Sequence, residues 1–357
     1  MIFSDKPFNK VLFYYTGDTL GDMIISTSAI ALYKKKFPNA HITMMVRSNF
    51  APILWNSLLI DDVLELDYKR LKTSWLYYIQ LIRRIKNKKF DISIAMDQKA
   101  KAAILTYFAQ IPKRIGYRGV SLAPSKIVSR LYNEIVNIDN VQELPVSEFF
   151  LTIIRGFLGL EVTDTGRPFV GCELTKEAED AELRFAAITE PKRLRIGLCL
   201  AGRNKLKSWP NASTAELINR INQKYSVNFF IVGTKEDSSF VEELASLTAV
   251  PLCNFCGKTN IRELVSMLRR TDLFITVDTA SMHIAAALEI PLVALFGPFS
   301  PEKWKPVSEN AAILWNRTDC SPCNCMNVEK CPQHICMRDL SVEEVYRAVC
   351  SQLDKLN

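Results

Sequence analysis

Apolar positions along this 357-residue chain fall into short β-branched runs, separated by stretches in which they recur at helical spacing. Val11–Tyr15 reads as a first buried strand, followed by the Gly-punctuated turn Thr16–Asp22 and a helix from Met23 to Phe37 that Pro38 stops. Ile42–Val46, Val63–Leu66 and Ile92–Ala95 read as further strands. Trp75–Ile85 reads as an amphipathic helix with Trp75, Ile79, Ile82 and Ile85 on its apolar side, and Pro112–Gly119 as a basic loop around two glycines. Helices are expected at Ser147–Leu158 and Thr175–Ile188, with Gly166-Arg167-Pro168 between them. Arg195–Leu200 then restarts the theme with strand, loop Ala201–Pro210 and helix Ala212–Gln223. Asn228–Val232, Leu273–Val277 and Leu292–Phe296 are strands, Ile261–Arg270 and Ser281–Glu289 helices, and Leu340–Leu356 a closing helix.

Both halves thus open alike, and the fold class is α/β with two Rossmann-like domains facing one another. The expected boundaries are 1–175, 176–339 and a closing helix at 340–357 packing back towards the first domain.

Composition changes this picture in three ways. Apolar residues at 48% and charged residues at 23% belong to a globular chain. The absence of any run of about eighteen uncharged apolar residues argues against a bilayer span, and Val11–Tyr15 is too short for a signal-peptide core, so a cytoplasmic protein is expected. Between residues 60 and 130 stand fifteen Lys or Arg against six Asp or Glu, an excess larger than the net +7 of the whole chain. That half suits an anionic partner; no nucleic-acid module accompanies it.

The chemistry-bearing residues gather in loops that follow strands. Asp278-Thr279-Ala280-Ser281 joins a strand to an Ala-rich helix, where free backbone N–H groups and the positive end of the helix suit a phosphate; an ordinary Ser-capped helix is the plainer reading. His283 lies in its first turn. Asp22, beside Gly21 at the start of the first helix, can either take a proton from an incoming hydroxyl or simply complement the helix dipole. The spacing around it is not the dinucleotide fingerprint. Arg114 and Arg118 offer an acceptor contact or an ordinary solvated surface, and Glu236 or Asp237, after the strand at Asn228–Val232, can reach a ribose.

Five of the ten cysteines lie between Cys320 and Cys336. Cys320, Cys323, Cys331 and Cys336 have a spacing that can assemble a structural tetrahedral site for zinc or iron, or else remain reduced thiols in a compact loop.

Three segments in order, Thr19-Leu20-Gly21-Asp22-Met23, Lys207-Ser208-Trp209-Pro210, and Val277–Leu288 with Phe296-Gly297-Pro298, resemble glycosyltransferase family 9, the ADP-heptose:lipopolysaccharide heptosyltransferases. The resemblance runs over nearly the whole chain. It implies a GT-B fold, two Rossmann-like domains across a cleft, with the acceptor held by the first and the nucleotide sugar by the second. It implies that Asp22 is the general base with Gly21 beside the acceptor, that Lys207 holds the donor diphosphate, and that Asp278, Thr279, Ala280, Ser281 and His283 meet donor phosphate and sugar. Glu236 or Asp237 would touch the ribose. The donor would be ADP-heptose and the acceptor an acidic inner-core glycolipid, transfer would invert the anomeric centre, and no catalytic metal would be needed. The enzyme would be cytoplasmic, with a peripheral contact at the cytoplasmic membrane face. Ala280 stands where the family usually has Gly, and Ser28 where Pro is frequent. Two other readings keep the fold: the same donor chemistry on a capsule, O-chain or protein acceptor, and a metal-bearing nucleotide-binding module without transferase activity.

Overall fold

A computed structural model describes residues 8–97, 99–119, 126–186, 190, 192–202, 204–323, 331 and 333–356. It divides into two compact units, Met1–Cys172 and Glu173–Asn357.

In the first unit the strands are β1 (Lys10–Tyr15), β2 (His41–Arg47), β3 (Asp62–Leu66), β4 (Ile92–Ala95), β5 (Lys113–Gly119) and β6 (Glu134–Ile138). The helices are α1 (Leu20–Lys36), α2 (Tyr68–Thr73), α3 (Trp75–Asn87), α4 (Ala100–Phe108), α5 (Lys126–Ser129) and α6 (Val146–Leu158). The second unit has β7 (Leu194–Cys199), β8 (Val227–Ile231), β9 (Leu252–Asn254), β10 (Leu273–Val277), β11 (Leu292–Phe296) and β12 (Ala311–Trp315). Its helices are α7 (Thr175–Ala186), α8 (Asn211–Lys224), α9 (Ser238–Ser246), α10 (Ile261–Leu268), α11 (Ala280–Ala287), α12 (Pro301–Trp304), α13 (Ile335–Arg338) and α14 (Val342–Leu353).

Each unit is a six-stranded sheet, in the order β3-β2-β1-β4-β5-β6 and β12-β11-β10-β7-β8-β9. Every pairing is parallel. Helices cover parallel strands on both faces, which is why the central strands β1 and β10 read as unbroken apolar runs. In both sheets the chain winds outward from the first strand and then jumps to that strand's other side. The loops after β1 and β4, and after β7 and β10, therefore diverge at a switch point, where such sheets open a crevice.

Helix α1 is buried on all sides from Met23 to Ile30, and again at Leu32 and Tyr33. Its Ser26, Thr27 and Ser28 hydroxyls donate to the carbonyls three residues back, at 2.7, 2.6 and 2.7 Å, so small polar residues can be buried there. In the second unit Trp209 is fully buried and its indole N–H donates to Leu340 O at 3.2 Å.

Two sequence expectations change. The segment read as a basic loop at Pro112–Gly119 is strand β5, paired with β4 and β6. Its Gly116 is there for room and not for a turn: a Cβ would stand 2.5 Å from the Tyr132 ring. On α3 the buried residues are Leu81 and Ile85, whereas Trp75 is 76% exposed. The closing helix sets Val345, Val349 and Leu353 into the second unit's core beside Leu217 and Leu295.

Candidate active site

At the first switch point, Asp22 sits in the opening turn of α1 and is half-buried, as is Gly21 before it. Thr19 precedes the helix with extended backbone, but its hydroxyl is not spent as a cap. It donates instead to Asp22 Oδ2 at 2.6 Å. Tyr15, at the end of β1, brings its hydroxyl to 2.7 Å from Thr19 Oγ1 and 3.5 Å from Asp22 Oδ2.

The backbone below is held by Asp97, which follows β4 and is buried. Its carboxylate accepts the Thr16 N–H, the Thr16 hydroxyl at 3.3 Å and the Lys99 N–H at 3.1 Å, and also the N–H of Gly17. Burial pushes the carboxyl up, and these donors pull against that. Tyr14, Tyr15, Tyr117 and Tyr132 surround it, all with phenols held above their ordinary range chiefly by burial.

Cations collect at the same edge of the sheet. Arg47 closes β2, donates from Nε to Thr16 O at 2.9 Å and lays its guanidinium 4.0 Å from the centre of the Tyr68 ring. Lys72 and Lys101 lie 4.9 and 5.4 Å from that ring. Arg118, near the end of β5, is exposed. Arg114 is not part of this group. It stands at the start of β5, with Nε and Nη1 donating to Leu131 O and Ile111 O at 2.7 and 2.6 Å; parallel pairing puts that start at the opposite edge from Asp22. The guanidinium there staples the chain.

At the second switch point, Lys207 and Asp278 meet. Lys207 Nζ lies 2.6 Å from Asp278 Oδ2 and 3.2 Å from Asp278 O, and 4.2 Å from the Phe299 ring centre. Thr279 precedes α11 without capping it: its hydroxyl is 2.7 Å from Ser281 Oγ and 3.3 Å from Thr276 Oγ1. The first turn of α11, with Ala280 and Ser281, thus keeps N–H groups uncapped by that side chain, at the positive end of the helix. His283 is buried just beyond. Burial lowers it to about 4, opposed by the Asp278 carboxylate and assisted by Lys207, so the imidazole is neutral at physiological pH. After β8, Asp237 is engaged with the Thr234 N–H at 2.8 Å and hydroxyl at 2.9 Å, whereas Glu236 is exposed. Of the two carboxylates, Glu236 is the one presented to solvent.

Of the cysteine group, Cys320 and Cys323 are exposed, Cys331 half-buried and Cys336 buried. Burial, together with the neighbouring Cys323, Cys331 and Cys320, raises the Cys336 thiol to about 11. Among the described residues no three His, Cys, Asp or Glu side chains are placed to hold a metal ion. Cys325, between Cys323 and Cys331, lies outside the described residues.

Sequence reasoning missed Tyr15, Asp97, Arg47, Tyr68 and Phe299. Asp97, Arg47, Tyr68 and Phe299 reach partners distant in sequence because parallel strands end side by side, whereas Tyr15 meets Thr19 and Asp22 within its own strand–helix connection.

The model of glycosyltransferase family 9 (heptosyltransferase) matches residues 78–332. Lipooligosaccharide heptosyltransferase 2 of Haemophilus influenzae is 27% identical over 319 residues, covering 83% of this chain and 85% of that protein. Among solved structures, a family 9 glycosyl transferase from Veillonella parvula superposes with a TM-score of 0.86 at 18% identity, covering 98% of this chain and 99% of that one. The E. coli ADP-heptose lps heptosyltransferase II superposes at 0.77 and 22%, covering 97% and 99%. These likenesses show the GT-B fold.

Proposed function

The chain belongs to glycosyltransferase family 9 and is a glycosyltransferase, and from that premise we propose that it moves a heptose from ADP-heptose to an inner-core lipopolysaccharide acceptor, with inversion at the anomeric carbon. The observation that carries this reading is the Lys207–Asp278 pair beside the α11 N-terminus, at the second sheet's switch point.

Departure of ADP develops negative charge on the leaving phosphate. Lys207 and the α11 N–H groups are preorganised donors for that charge, and neutral His283 adds a hydrogen-bonding group without adding a second cation. In this reading Lys207 exchanges the Asp278 carboxylate for the diphosphate when donor binds, and Glu236 meets the ribose. Asp22 removes the proton of the acceptor hydroxyl as that oxygen attacks the face opposite the leaving group, which is what inverts the centre.

An acidic acceptor is supported by Arg47, Lys72 and Lys101 around Tyr68, with Arg118 at the same sheet edge. No described helix is long and apolar enough to cross a membrane. A peripheral contact at the cytoplasmic membrane face would bring the enzyme to a lipid-linked acceptor, and Trp75 and Leu76, 76% and 53% exposed, are suited to it.

The test is mass spectrometry of products from ADP-heptose and a panel of core, capsule, O-chain and peptide acceptors. Heptosylated core with ADP released is expected. Asp22→Asn should lower kcat about a thousandfold, and Lys207→Ala should weaken ADP binding about tenfold or more. ADP-heptose bound but transferred to none of these acceptors would remove the reading.

A further inference from the structure

We propose that Tyr15 and Thr19 are positioning residues for Asp22, forming a two-hydroxyl relay that fixes the carboxylate's orientation and keeps it ionised for proton removal. The inference rests on the reading of Asp22 as the base.

The direction of the chain follows from its links. Thr19 Oγ1 donates its one proton to Asp22 Oδ2 at 2.6 Å, so within the 2.7 Å contact it must accept from the Tyr15 hydroxyl. Tyr15 also stands 3.5 Å from the same Oδ2. With its one proton given to Thr19, Tyr15 acts on the carboxylate through the Thr19 hydroxyl, each hydroxyl polarising the next. Asp22 has a further interaction besides these.

The loop is shaped around the ring. Gly17 is a close-approach position: a Cβ would lie 2.5 Å from the Tyr15 hydroxyl oxygen and 2.6 Å from Cζ. Any side chain there would push the ring off Thr19. From below, Asp97 ties down the N–H groups of Thr16 and Gly17, and Arg47 holds Thr16 O. The four residues from Thr16 to Thr19 are thus anchored at one end by Asp97 and at the other by α1.

Tyr15 stays a donor throughout the working range. Burial raises its phenol, and the charges of Asp22, Asp97 and Asp18 raise it further, against a lowering by Thr19. The other groups at this edge are the Tyr14 and Tyr117 phenols, both raised, and the Arg47 guanidinium. Donors to a carboxylate favour its charged form, so deleting either hydroxyl makes Asp22 harder to ionise.

Two measurements test this on the full-length protein. In the first, 13C-carboxyl aspartate signals are titrated, with Asp22 assigned by its absence in Asp22→Asn. Tyr15→Phe, which keeps the ring beneath Gly17, and Thr19→Val should each move the Asp22 midpoint up by about one pH unit, while Thr19→Ser restores it. In the second, ADP release from ADP-heptose and a core acceptor should show the acid limb of kcat moving up by the same amount, with KM for ADP-heptose unchanged. Unmoved midpoints in both deletions, or Thr19→Ser behaving as Thr19→Val, would overturn the relay while leaving the base assignment intact. Full turnover by Asp22→Asn would overturn the base assignment and, with it, the purpose of the relay.

Discussion

His283 shows how a single burial sets both charge and stability. Its folded pKa of about 4 lies below the ordinary 6.5, so between those values the unfolded chain binds a proton that the folded protein refuses. Stability is therefore fully present above about pH 6.5 and is lost as pH falls towards 4, at up to about 1.4 kcal/mol per unit. Asp97 acts with the opposite sign, since its folded carboxyl is raised, but it is common to wild type and variant and cancels in a difference. His283→Gln should consequently lose less stability than wild type on acidification. Denaturant midpoints of the two proteins from pH 7 to pH 4 check this, and parallel slopes would contradict it. The family resemblance singled out Asp22, Lys207 and His283 in the sequence, and the structure sets each in or beside a loop at a switch point. Phe299 was not legible there, because its contact with Lys207 joins residues more than ninety positions apart.

At the scale of elements, the apolar stripe on α3 was read about a quarter turn from the face that is buried. Leu81 and Ile85 face the sheet, together with Tyr78, whose hydroxyl donates to Lys101 O at 3.1 Å; successive residues turn about 100°, which carries Trp75 away from that side. A tryptophan in the first turn of an amphipathic helix reads as core, yet here it is 76% exposed. Trp75→Ala combined with Leu76→Ala should therefore reduce flotation with anionic phosphatidylglycerol vesicles by about tenfold and leave ADP affinity unchanged. Equal flotation would assign the exposed pair another role. Strand β5 escaped for a related reason. Its Lys113, Arg114 and Arg118 and its two glycines look like loop chemistry, but Gly116 and Gly119 exist because Tyr132 and Val141 occupy the space of their side chains.

For the whole molecule, the sequence made the repetition of strand, loop and helix visible, and the two sheets with identical strand order bear it out. Strands β9 and β12 were not legible: one is three residues long and the other half-buried throughout, so neither carries a full apolar run. The division of labour can be tested directly. Every residue assigned to the donor, from Lys207 and Glu236 to Asp278 and His283, lies within Glu173–Asn357. So does the core beneath them, with Trp209, Ile275 and Leu295 in one cluster and α14 closing it. Residues 173–357 expressed alone should fold and bind ADP within about threefold of the full chain, since mass action requires only that the binding unit be native. Lys207→Ala in that fragment should weaken binding as it does in the intact protein. Calorimetry on both chains decides it: a folded fragment that does not bind ADP would mean that the first unit supplies donor contacts, and would shift the basic cluster around Tyr68 from the acceptor to the nucleotide diphosphate.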